Sequence, residues 1–222
     1  MTKKVVLLHA TSVAMSPVQQ AFNELWPEAE ISHLLDDGLT LERAKSVELT
    51  TALIGRFVAL GQYAWSTRPD AILITCSAFG PAISALAKVL PVPVIKPNEA
   101  MFQQALKQGK EIGMLATFSP ALATMTEEFE QWSRQQESNA RLRVELIPHA
   151  IDALRKGDME QHNQLVAAGA ERLIDCDVIM LAHFSTSLAL SAVQSKVSIP
   201  VLTAPHSAVN LLRSLTEITG EI

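Results

Sequence analysis

Residues 70–83 read DAILITCSAFGPAI, and residues 177–183, DVIMLAH, repeat the first half of that stretch. Asp70-Ala-Ile-Leu-Ile-Thr-Cys76 falls on Asp177-Val-Ile-Met-Leu-Ala-His183 at an offset of 107. Ala71 to Ile74 is an apolar run of strand length that stops at Thr75-Cys76-Ser77. Gly80-Pro81 then opens a segment with helical spacing at Ile83, Leu86 and Leu90. The same offset carries Pro93-Val-Ile onto Pro200-Val-Leu, and an offset of 106 sets Ala10-Thr11 on Ala116-Thr117. Ser16-Pro17 and Ser119-Pro120 read as two copies of one helix start, with serine capping and proline in the first helical position. Order and near-constant spacing across these elements predict two similar open α/β units related by a pseudo-twofold.

Outward from this repeat, short apolar runs alternate with helical patterns along the whole chain, which indicates parallel sheets and an α/β class. Residues 41–66 read as one helix bent near Gly55, and residues 151–174 as a helix broken at Gly157-Asp158, with Asp158 capping the second piece. Pro97-Asn98 is expected to cap a helix over 99–108. The domain expectation is residues 1–97 with 206–222 in one unit and 98–205 in the other.

With 222 residues, 48% hydrophobic and 18% charged, the chain has ample material for a packed core. The net charge of −5 and the lack of a Lys/Arg cluster argue against nucleic acid or an anionic membrane surface as partner. No apolar run approaches the roughly 18 residues of a membrane span, and a cytoplasmic location is the expectation. Cys76 and Cys176 are far apart and match no metal-ligand spacing. There is no G-x-G-x-x-G, no phosphate-binding lysine loop and no His/Cys cluster, so neither cofactor nor metal is expected.

Ligands of open α/β sheets bind beyond the carboxyl ends of the strands. Two units facing each other there put Cys76 and His183 at equivalent places on opposite walls of one cleft. A cysteine at a strand-to-helix corner sits at the positive end of a helix, which is expected to lower its pKa. Thr11, Ser12, Ser77, Thr117, Ser119 and Ser185 lie at the same strand ends and can supply hydroxyl donors. Ala78 and Phe184 line the two corners, and helix N-termini behind them suit an anion, most simply a carboxylate. His9 and Cys176 read as packing residues, and His149 and His162 as residues at or near the solvated surface.

On these residues the chain resembles the aspartate/glutamate/hydantoin racemase superfamily over nearly its whole length. The resemblance is carried by Cys76-Ser77-Ala78, its second-half counterpart, Ala116-Thr117, HATSVAMSP at 9–17, CSAFGPAI and KPNEAMF. It implies two domains with pyridoxal-independent chemistry at their interface, a small carboxylic acid as substrate and a homo-oligomer. A thiol on each side of the substrate Cα removes and returns its proton. This sequence carries His183 at the second cysteine position and Phe184 at the threonine after it. A Cys/His pair can still move protons. A one-thiol decarboxylase of a malonate-like acid, a double-bond isomerase, a Cys/His hydrolase and a non-catalytic acid binder are the alternatives.

Overall fold

The computed structural model describes residues 2–46 and 48–218, with side chains to residue 216. The first half runs β1 (Lys4–His9), α1 (Met15–Leu25), β2 (Glu30–Leu35), α2 (Gly38–Arg43), α3 (Thr51–Ser66), β3 (Ala71–Ile74), α4 (Gly80–Val89) and β4 (Val94–Ile95). After α5 (Glu99–Gln108), the second runs β5 (Glu111–Ala116), α6 (Leu122–Gln135), β6 (Arg141–Leu146), α7 (Ala150–Arg155), α8 (Met159–Ala170), β7 (Val178–Leu181), α9 (Leu190–Gln194) and β8 (Val201–Thr203). α10 (Ala204–Ile218) closes the described chain.

The strands form two four-stranded sheets of orders β2-β1-β3-β4 and β6-β5-β7-β8, every pair parallel. The register repeats as well as the order. Val5 pairs with Ala71 and Ile112 with Val178, while Ile72 pairs with Val94 and Ile179 with Val201, each at the offset of 107. That offset also relates the short 3-10 turns Ser12–Ala14 and Ser119–Ala121, and the starts of α1 and α6. Thr11 therefore corresponds to Phe118, so the 106 match of Ala10-Thr11 with Ala116-Thr117 is a coincidence of composition. Ser16-Pro17 lies inside α1, whereas Ser119-Pro120 opens a 3-10 turn. The two Ser-Pro pairs are not equivalent.

β3 and β7 are buried along their length, as expected of central parallel strands covered on both faces. Alternation along β5 divides the interior. Ile112, Met114 and Ala116 join a core that extends through the first unit, while Leu115 packs with Ile179, Leu181 and the α8–α9 side. The apolar interior thus runs across the boundary between units. Gly80 makes close contact across that boundary possible, because a Cβ there would collide with Thr124 and meet Glu128, both on α6. Glu128 in turn pairs with Lys96 at 3.2 Å. α10 lies against α1 and α5, where Arg213 donates to the Leu25 carbonyl at 2.9 Å and Ser207 to Gln104 at 2.6 Å.

Several local expectations change. The segment 41–66 belongs to two helices, α2 ending at Arg43 and α3 beginning at Thr51. Thr50 Oγ1 accepts from the Leu53 N–H at 3.3 Å and starts α3, and Gly55 lies within it. Asp158 caps α8 as expected, accepting from the Gln161 N–H at 3.0 Å. Asn98 precedes α5 without a side-chain cap; it is buried and its amide atoms have no partner. His162 is fully buried rather than near the surface, because its face of α8 turns inward.

Candidate active site

In each sheet the connection from the first strand leaves to one side and returns to the other, so the switch point lies between β1 and β3, and between β5 and β7. Each of these four strands ends in a 3-10 turn, Ser12–Ala14, Ser77–Phe79, Ser119–Ala121 and Phe184–Ala189. The four corners meet around one small cavity of about 30 Å³. That is room for roughly two water molecules, too little for an amino acid.

Thr11, Cys76, Ser77, His183, Phe184 and Ser185 line the cavity, so six of the sequence-predicted residues are brought together. Ser12 and Ser119 are exposed and lie outside it. Thr117 is buried beside Thr186, their hydroxyls 3.4 Å apart. Ala78 stands behind the wall, its N–H bonded to the Cys76 sulfur. Residues that sequence reading missed complete the lining: Ala14, Thr40, Thr75, Phe118, Ile151 and Arg155. Arg155 reaches the site from α7, its guanidinium 5.6 Å from the centre of the Phe118 ring and 3.9 Å from Asp152. Arg43 lies buried next to the site and bridges the two units, donating to the carbonyls of Ala78 at 3.4 Å and Pro120 at 3.1 Å. Neither arginine sits in a motif, and only long-range folding brings them here.

The thiol is not activated as its position in sequence suggests. Burial pushes Cys76 up to about 11, outweighing the Ala78 N–H and the charges of Arg43 and Arg155, which pull it down. It is a protonated thiol at neutral pH. Burial lowers His183 to about 4, so the imidazole is neutral. Its Nε2 accepts from the Phe118 N–H at 3.3 Å, which assigns the ring proton to Nδ1. Nδ1 lies 3.2 Å from Ser77 Oγ and donates to it. Ser77 is then left with its own proton to donate elsewhere. His183 also has φ +69°, ψ 138°, where Cys76 has −125°, 118°. The repeat is thus broken in the backbone at its chemical centre, at a cost of about 1–3 kcal/mol for such a conformation.

Residues 40–131 match the family described as Asp/Glu/hydantoin racemase. No protein of curated function matches the chain by sequence. Among solved structures, the chain is similar to a glutamate racemase isoform from Bacillus anthracis, with TM-score 0.79 and 17% identity, over 98% of this chain and 83% of that one. It is similar to allantoin racemase from Pseudomonas fluorescens, with TM-score 0.72 and 16% identity, over 97% and 92% of the two chains. A variant of arylmalonate decarboxylase gives TM-score 0.66 and 14% identity, over 96% and 93%. Over residues 40–131 the chain is thus similar to the Asp/Glu/hydantoin racemase family, and over nearly its whole length it shares the two-unit fold of these solved racemases.

Proposed function

We propose that this protein is a cofactor-independent enzyme that moves a proton at the carbon α to a carboxylate, with Cys76 as the proton-handling group. The observation that carries the reading is the thiol's placement in a cavity shared by both units, beside Arg155 and the Ser77 hydroxyl. Loss of an α proton, or of CO₂, leaves an enediolate. Its charge must be met by donors already in place. Arg155 is suited to anchor the carboxylate, and Ser77 to donate to one enediolate oxygen, its lone pair being held by His183. Amino-acid or related racemisation further requires a group on the opposite face, which His183 becomes if it gives up its bonds to Ser77 and Phe118.

The engagement of both His183 nitrogens favours a second reading, one-faced decarboxylation of a malonate-like acid. There the carboxylate departs as CO₂, and the Cys76 thiol protonates the enediolate from its own side. A protonated thiol and no strong base are what that step asks for.

A panel of α-amino, 2-aryl and malonic acids incubated in D₂O tests both. Racemisation puts deuterium at Cα starting from either antipode. Decarboxylation releases CO₂ and leaves one deuterium in a product of one hand. Cys76→Ala is expected to reduce either by about 10²–10⁴-fold. Neither exchange nor CO₂ across the panel refutes the proposal, and a burst of acyl-enzyme on esters assigns the pair to a hydrolase instead.

A further inference from the structure

We infer that Thr75, His9 and His33 form a relay that exchanges a proton between the cavity and the outer edge of the first sheet. Thr75 lines the cavity and immediately precedes Cys76. Its hydroxyl is 2.8 Å from Nδ1 of His9, which is fully buried on β1. Nε2 of His9 is 2.8 Å from Nδ1 of His33 on β2. Nε2 of His33 is 3.1 Å from Gln19 Oε1 on α1, and Gln19 donates onward to Asn23 at the surface, at 2.8 Å.

The chain has a direction. Gln19 Oε1 can only accept, so His33 carries its proton on Nε2 and accepts at Nδ1. His9 then carries its proton on Nε2 and accepts at Nδ1 from Thr75. In this orientation the relay is set to take a proton out of the cavity. Thr75 Oγ gains a proton from the site as its own passes to His9 Nδ1, and His9 Nε2–H passes to His33 Nδ1. The proton on Nε2 of the partly exposed His33 leaves its bond to Gln19 Oε1, an amide oxygen that cannot relay it, and passes directly to water. Each ring exchanges one N–H bond for another, no charge is left behind, and the opposite tautomers return a proton by the reverse hops. Both rings favour the neutral form, His9 being pushed down to about 3 by burial and by its neighbour.

The fold does not require this chain. The register places Ala116, Val144 and Ala182 of the second unit where His9, His33 and Thr75 stand in the first. The same sheet is built there from apolar residues, without the cost of burying polar groups. The polar version occurs only in the unit that holds the cavity's thiol. The inference rests on the proton-transfer reading, because a relay needs a proton to carry. Thr75 meets the cavity; His9 and His33 act through it as positioning and relay residues.

The test replaces His33 by its second-unit counterpart, His33→Val, alongside His9→Gln and Thr75→Val. For a substrate from the D₂O panel, His33→Val is expected to lower kcat about tenfold, leave KM unchanged and recover activity in proportion to added imidazole. Unchanged kcat, or a loss that no concentration of imidazole restores in a variant that melts like the wild type, overturns the relay. ¹⁵N spectra of the unliganded protein decide the point independently. Protons on Nε2 of both rings support the relay in this orientation and protons on Nδ1 of both rings support it in the reverse one; a charged ring, or tautomers that leave His9 Nε2 and His33 Nδ1 both bare or both protonated, overturns it. A wild type that exchanges nothing refutes the proton-transfer reading instead, and the spectra then judge the hydrogen-bonded chain.

Discussion

His183 Nδ1 lies 3.2 Å from the hydroxyl of Ser77, across the seam between the two units and one residue from the cavity's thiol. The bond converts a histidine expected to face the substrate into one that aims a neighbour's proton. Its consequence is measurable as coupling. If His183 acts through Ser77, the double variant Ser77→Ala/His183→Leu loses no more activity than the worse single variant, a coupling of about 0.5–3 kcal/mol. Strictly additive losses in kcat/KM show that His183 carries protons on its own.

The Cys76 thiol, held near 11, sets the shape of the pH profile. As a proton donor it is competent at neutral pH, and activity falls as pH rises through about 11. As a base it must first ionise, and activity climbs over the same interval. A kcat/KM profile from pH 6 to the alkaline limit of folding separates donor from base, and therefore the decarboxylase from thiol-initiated racemisation.

Arg155 is only partly covered, with 36% of its side chain exposed, and its acidic neighbour Asp152 stands off at 3.9 Å. A carboxylate in the cavity gains a charge-assisted bond from it. Arg155→Met is expected to raise KM about 10–100-fold, the loss of about 1.5–3 kcal/mol, with a smaller change in kcat. Arg155→Lys keeps the charge and recovers part of the loss. An unaltered KM in Arg155→Met removes this residue from the site.

Acid is expected to destabilise the fold through the buried His9 and the half-buried, desolvated His183. His9 and His183 are lowered to about 3 and about 4 from an ordinary 6.5, so the unfolded chain binds protons that the native one refuses. Their neutral burial contributes stability that is present above 6.5 and lost as pH falls through 6.5 towards 4. For His183 alone the loss amounts to about 3 kcal/mol. Urea titrations between pH 7 and 4 should show this slope, and His183→Leu should flatten it; an unchanged slope shows that the ring is solvated in the native state.

The parallel α/β class and the offset of 107 were legible because they are written in local pattern, apolar runs of strand length ending at turn residues. The Ala10-Thr11 match and the paired Ser-Pro motifs fall out of register with the ladders, because identity of a short string does not fix its position in a sheet. Cys76 and Ser77 are legible in the strand-to-helix corner itself, and His183 through the repeat. Arg43, Thr75 and Arg155 are not, since nothing in their neighbours' spacing says which side chain reaches a distant corner.

By itself the sequence determined that the chain folds as one α/β unit written twice, with its candidate site at the ends of β1, β3, β5 and β7, because strand periodicity and chain order dictate topology. Only the tertiary structure decided the state of the groups found there. It buried the thiol deeply enough to outweigh two guanidiniums and a backbone N–H, and it turned the His183 backbone over so that both ring nitrogens bind protein. Desolvation and hydrogen-bond partnership arise from residues far apart in the chain. A strand-end cysteine therefore announces where a site lies before anything local can say whether its proton is on or off.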